Sequence, residues 1–163
     1  MLIGLISDTH DNIYKIEEAV KIFNSRGVKY VLHAGDHIAP FTLNWFKPLK
    51  AELIGVTGNL DAEHILLKKR YEELGWTIYR EVTEVDLNGK IVLTHGFSER
   101  IVKALALSGE YDVVVRGHIH KIQSDWIGET LVVNPGEACG YLSGKSTIAF
   151  LKMPERKVEF AEL

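Results

Sequence analysis

The chain carries a single cysteine, Cys139, among its 163 residues, which excludes an internal disulfide framework and a four-thiolate zinc site. No apolar run approaches the roughly 18 residues that a membrane-spanning helix needs. The opening Met1-Leu2-Ile3-Gly4-Leu5-Ile6 is too short for a signal core and has no basic flank before it, so the expected address is the cytoplasm. Basic charge is not in excess either: 19 Lys and Arg stand against 22 Asp and Glu, a formal charge of −3. Gripping a nucleic-acid backbone by bulk charge needs a basic face, so nucleic acid is not a favoured partner. There is no repeat, low-complexity tract or Pro/Gly/Ser-rich linker, and the expectation is one domain over residues 1–163.

What is present is ordinary for a globular domain, with 46% apolar and 25% charged residues. A chain of this size buries roughly 70% of its extended surface, enough for a core without staples. One feature is out of line. Seven histidines occur, and four of them, His10, His37, His95 and His118, stand directly beside an Asp or Gly.

Apolar patterning places these histidines. Residues 2–7, 28–34 and 51–57 are short, almost wholly apolar runs of the kind that form strands buried on both faces. Between them, Ile13, Ile16, Ala19, Val20 and Phe23 recur at helical spacing after the capping Asn12 and before Gly27. A short helix is expected over 42–46 after Pro40, and a longer one over 61–74 ending at Gly75. This is the alternation of parallel strands with right-handed crossovers. The second half differs. Residues 82–87 and 90–94 flank Asn88-Gly89, a strong hairpin signal. A helix over 98–108 and a buried strand over 112–116 follow. Ile127 and residues 131–134, then residues 146–153 and 157–161, flank two further turns. The expected fold is α/β: a four-layer α-β-β-α sandwich of two mixed sheets flanked by helices.

Polar groups cluster where the strands end. The first strand runs into Asp8-Thr9-His10, the second into Gly35-Asp36, the third into Gly58-Asn59. The hairpin ends in His95-Gly96 and the 112–116 strand in Gly117-His118-Ile119-His120. Loops at the carboxyl ends of strands converge on one crevice in α/β architecture. Asp8, His10, Asp36, Asn59, His95, His118 and His120 are more oxygen and nitrogen donors than one tetrahedral ion can use. They suit two five- or six-coordinate ions sharing one carboxylate, and paired ions roughly 3.5–4 Å apart clamp both oxygens of a phosphoryl transfer. A water between two such ions loses its proton near neutral pH and becomes the nucleophile.

These five motifs, in this order, resemble the calcineurin-like metallophosphoesterase superfamily, and the short chain with Asn134-Pro135-Gly136 resembles its small prokaryotic YfcE-like phosphodiesterases. The resemblance implies one metal on Asp8, His10 and His120, a second on Asn59, His95 and His118, and Asp36 bridging. It implies two divalent ions, manganese or nickel foremost and iron or zinc after them, and a phosphodiesterase working by in-line attack of the bridging hydroxide. On that resemblance Asp36, Asn59 and His95 would carry the catalysis through the metals. A phosphomonoesterase or nuclease with the same centre is the alternative reading, and a scaffold of the same fold, like a eukaryotic retromer subunit, is a third. The full ligand set argues for catalysis over the scaffold. The expected partner is a small phosphodiester, and relatives are often homo-oligomers.

One departure bears on substrate choice. Many superfamily members have His directly after the motif Asn, where it protonates the leaving group; here Leu60 stands there. General acid help is worth roughly 10²–10⁴-fold, so slow turnover of alkyl esters is expected. His37, beside Asp36, is read as a substitute acid or phosphate contact, against an exposed loop histidine. His33 is expected to be a satisfied structural residue, His64 to face solvent, and Cys139 to be buried or semi-buried. Nothing in the sequence accounts for Glu137.

Overall fold

The computed structural model describes residues 1–163. The apolar runs become β1 (Leu2–Ile6), β2 (Tyr30–His33) and β3 (Glu52–Val56), parallel and adjacent in chain order, with β4 (Thr77–Tyr79) beyond them. A second sheet takes β5 (Val82–Asp86), β6 (Lys90–Thr94), β7 (Val113–Val115), β8 (Ile122–Ile127) and β9 (Thr130–Pro135) in the order β5-β6-β7-β9-β8. The chain then returns as β10 (Thr147–Lys152) and β11 (Lys157–Glu162), which extend the first sheet antiparallel from β1. Both sheets are mixed, as the change of pattern half-way along the chain implies.

Strand alternation assigns the layers. Ile3 and Leu5 of β1 face the second sheet, where Leu32, Val56, Leu93, Val115, Val133 and Leu151 join them in an apolar interlayer. Ile6 faces the other way, onto α1 (Ile13–Arg26), which buries Ile16, Ala19, Val20 and Phe23 at helical spacing. A Cβ on Gly4 would stand 2.6 Å from the Phe23 ring, so the glycine is what lets the helix lie against the sheet. Asn12 accepts the Lys15 N–H at 3.3 Å at the start of α1, and Gly27 (φ 65°) ends it in the left-handed conformation. A 3₁₀ turn (Pro40–Phe46) and α2 (His64–Glu73) complete that outer layer. On the far side α3 (Glu99–Leu107) lays Val102 and Ala106 against Val92, Val114 and Val132. The four layers are therefore α-β-β-α. No helix is long and apolar enough to cross a membrane.

Three elements differ from the sequence reading. Strand β4 follows Gly75-Trp76 with three residues, of which only Ile78 is buried, so it is too short to show a period. Helix α2 begins at His64 rather than at residue 61, because the Asp61 side chain is turned back into the preceding loops. Strand β8 is mostly exposed, and its Ser124 and Asp125 break the apolar pattern, so only Ile127 marks it in the sequence.

The register explains the convergence of the loops. Ile6 pairs with His33 and His33 with Gly55, so Asp8, Asp36 and Asn59 leave the first sheet side by side. Leu93 pairs with Val115, which brings His95 and His118 off the facing sheet at the same level.

Candidate metal centre

All seven predicted side chains meet at this shared edge. Five of them, Asp8 (φ 53°), His10 (φ 39°), Asp36 (φ 59°), His118 (φ 72°) and His120 (φ 55°), have left-handed backbone. Asp and His tolerate that region better than most residues, yet each such position costs on the order of 1–3 kcal/mol and persists where surrounding structure over-determines it. The strain turns each chain sharply after its strand and aims the side chain at the crevice. Glycines make room: a Cβ on Gly35 would lie 2.7 Å from His95 Nδ1, and one on Gly117 would lie 2.8 Å from Asp8 Oδ2.

Asp36 lies at the middle. Its Oδ2 is 3.7 Å from His10 Nε2 and 3.5 Å from His95 Nε2, while its Oδ1 accepts the Leu60 N–H at 3.0 Å. Asp8 Oδ1 is 3.8 Å from His10 Nε2 and 3.4 Å from His120 Nε2. The other Asp8 oxygen accepts from the Ser7 hydroxyl at 2.6 Å and the His118 N–H at 3.1 Å. Asn59 Oδ1 sits 2.9 Å from His95 Nε2 and 3.0 Å from His118 Nδ1. Asp8 and Asp36 are buried, and burial alone would raise the Asp8 carboxyl, but contacts with His10 and Ser7 outweigh it and hold the pKa below its ordinary value. Asp8 in turn raises the pKa of His10.

Several polar atoms of the crevice are turned toward one another without a hydrogen bond between them. His95 Nδ1–H donates to the Ala34 carbonyl at 2.8 Å, and His120 Nδ1–H donates to Glu137 Oε2 at 2.8 Å. A neutral imidazole has one N–H. With the ring neutral, the Nε2 of each carries the lone pair, and it faces a carboxylate oxygen, Asp36 for His95 and Asp8 for His120. Buried Asp8 Oδ1 and His10 Nε2 have no hydrogen-bond partner at all. Buried polar atoms go unpaired at a cost of about 1–3 kcal/mol. Opposed lone pairs of oxygen and imidazole nitrogen are a donor set for hard or borderline divalent cations, and ligand atoms of Asp8, Asp36 and His95, and of His10, His120 and Cys139, lie within 4.8 Å of one another in each group.

The calcineurin-like phosphoesterase superfamily domain matches residues 1–156. The chain belongs to that superfamily. This phosphoesterase is 37% identical to a phosphodiesterase of Methanocaldococcus jannaschii, covering 100% of this chain and 98% of that one. The solved structure of an archaeal phosphodiesterase superposes with a TM-score of 0.96 at 36% identity over 100% of both chains. The YfcE phosphoesterase of E. coli shares the fold at a TM-score of 0.75 and 19% identity, over 100% of this chain and 98% of that one. The superfamily is one of metallophosphoesterases, and divalent metal ions belong with this donor set.

Around the centre the calcineurin-like phosphoesterase has supports that the sequence does not announce. Buried Asp61 accepts the N–H of Asp36 (3.0 Å), Gly58 (2.8 Å) and Ile38 (2.8 Å), so it sets the loops that carry Asp36 and Asn59. Burial pushes its carboxyl up, but His37 and these N–H groups prevail and depress the pKa strongly. Arg116, fully buried, donates to the carbonyls of Gly96 (2.7 Å) and Gly117 (3.2 Å) and pairs with Glu99, clamping the loops of His95 and His118 together. Asn134 donates to the same Gly117 carbonyl at 2.7 Å, so the Asn134-Pro135-Gly136 turn braces the loop that carries His118.

His37 is corrected by its surroundings. It is 1% exposed, its Nδ1 lies 3.1 Å from Asp61 Oδ2 and its Nε2 2.7 Å from the Tyr71 hydroxyl. Both ring nitrogens are engaged, so neither an exposed loop histidine nor a leaving-group acid describes it. His33 stacks on His37 with ring centroids 3.6 Å apart, its Nδ1 accepting the Gly35 N–H and its Nε2 near Thr9 Oγ1; it is a satisfied structural residue. His64 does not simply face solvent. With Arg80, Glu81, Phe97, Asn59 and His95 it lines a cleft of about 260 Å³ that opens from one side of the centre. Charge at 68–70 is solvated, Lys68 and Lys69 pairing with Glu72 and Glu73 at i,i+4.

Proposed function

We propose that the protein is a phosphodiesterase of small substrates whose centre holds two divalent ions, manganese or nickel first and iron or zinc after them, with Asp36 between them. Asp8, His10 and His120 surround one position, and Asn59, His95 and His118 the other. The convergence of His95, His120, Asp8 and Asp36 carries this reading, because divalent cations placed among them would satisfy all four at once. Divalent ions bound there supply Lewis acidity, lowering the pKa of a water and offsetting charge on the phosphoryl oxygens.

The chain's own residues do the rest. Ala34, through the Nδ1 atom of His95, keeps that ring's Nε2 turned inward. Leu60 N–H and the Asp61-held loop fix Asp36 so that one oxygen is left for the centre. One ester arm of the substrate fits the adjoining cleft, whose mouth carries Arg80 and the exposed Phe97. The residue after Asn59 is Leu60, 52% exposed, and it donates no proton to a leaving alkoxide. Diesters with acidic leaving groups are therefore the better substrates. The −3 charge favours a small diester over a polynucleotide.

The test is metal content of the purified protein with hydrolysis of bis-p-nitrophenyl phosphate before and after chelator. Two equivalents of metal and chelator-sensitive turnover, restored by added Mn²⁺, are expected. Tight metal binding without turnover of any ester would return the scaffold reading.

A further inference from the structure

Glu137 is a buried carboxylate that the proposed chemistry does not use. It is 0% exposed, and every lone-pair direction is met. Oε2 accepts from His120 Nδ1 at 2.8 Å and from the Cys139 thiol at 3.1 Å. Oε1 accepts from the Leu142 N–H at 3.1 Å and from the Ser143 N–H. An ionised group removed from water survives only with such partners. The other imidazole whose Nδ1 proton has a defined acceptor, His95, gives it to an uncharged backbone carbonyl. His120 alone among the site's histidines has a carboxylate on the nitrogen turned away from the centre.

We propose that Glu137 is a positioning residue for the metal centre, holding His120 in one tautomer and orientation and making it the more basic of the site's ligands. A carboxylate on the far N–H of a ligating imidazole fixes the ring and raises its donor strength, and removing such a partner weakens metal binding by roughly 10–100-fold. The effect is one-sided, because His120 faces Asp8 and His10 rather than Asn59. The same carboxylate anchors the backbone of Leu142 and Ser143, so the exposed 140–145 loop and the ligand share one buried support. The inference rests on the reading of His120 as a metal ligand.

The test is calorimetric titration of chelator-treated protein with Mn²⁺, with the visible absorption of the Co²⁺ form, for the wild type, Glu137→Gln and Glu137→Ala. The wild type is expected to bind two Mn²⁺. Glu137→Ala weakens one of them about 10–100-fold and leaves the other unchanged, with an altered Co²⁺ spectrum. Glu137→Gln keeps one acceptor oxygen and weakens the same ion by less, and it carries the test alone where the alanine variant does not fold. Wild-type affinities for both ions in the glutamine variant would overturn the inference. So would equal losses at both ions that merely track a lowered melting temperature of the metal-free protein with an unchanged Co²⁺ spectrum. A wild type that binds fewer than two ions overturns the dinuclear reading instead, and this inference with it.

Discussion

Replacing Asp61 by Asn changes one atom and dismantles the loop network. The carboxylate, 1% exposed, receives the N–H groups of Asp36 and Gly58 and the His37 ring on Oδ2, and the Ile38 N–H on Oδ1. An amide offers one oxygen. Turned toward Asp36 and Gly58, it points its NH₂ at the Ile38 N–H, donor against donor. Hydrogen bonds to a charged acceptor are worth about 1.5–3 kcal/mol against 0.5–1.5 for a neutral one, and a stranded buried N–H costs about 1–3 kcal/mol. The sum puts Asp61→Asn at about 3–5 kcal/mol of lost stability, the range for breaking a buried ion pair. Urea unfolding of chelator-treated protein at pH 7 measures it. Because the folded pKa of Asp61 lies below its ordinary 3.8, its contribution is complete above pH 3.8 and declines as pH falls further. The gap between wild type and variant therefore narrows in acid. A difference under about 1 kcal/mol at pH 7, or a gap that widens on acidification, would refute the network as described.

Two other outcomes follow from the same geometry. Burial, then the adjacent His37, holds the His33 pKa well below 6.5, so its folded form is neutral while an unfolded His33 takes a proton below that value. Stability falls as pH drops below 6.5, by up to about 1.4 kcal/mol per unit from this group. The His33 ring resonances of labelled protein stay flat from pH 8 to pH 5, and a midpoint near 6.5 would contradict the burial argument. Leu60→His supplies the missing acid on a half-exposed side chain. Turnover of alkyl diesters is expected to rise about 10²-fold or more with aryl diesters little changed; no separation between the two series would dismiss the leaving-group account.

Much of the architecture is readable because buried parallel strands are continuous apolar runs, and the residues that follow them fall at one edge. Asp8, Asp36, Asn59, His95 and the His118–His120 pair each directly follow such a run or the glycine after it, and this local signal is enough to collect the site. What supports the site is not local. Asp61 has the look of a helical residue in the run to Leu74 until its carboxylate meets the Asp36 and Ile38 N–H groups across 25 and 23 residues. Arg116 closes a strand in the sequence and clamps two loops in space. Glu137 gives no pattern at all, since its partners are one ring on another loop, the Cys139 thiol and two backbone groups ahead of it. His37 was legible as a neighbour of Asp36 but not as a buried one, because its partner Tyr71 lies on a helix 34 residues away. A carboxylate beside a predicted ligand loop, followed by a polar rather than apolar residue pattern, is the only hint that could have marked Asp61.

Anomalous diffraction from crystals grown with Mn²⁺ tests the dinuclear reading most directly. Two peaks roughly 3.5–4 Å apart, with Asp36 Oδ2 reaching both, His120 and His10 on one and His95 and His118 on the other, are the expected result. A single peak, or two that leave Asp36 untouched, would contradict it.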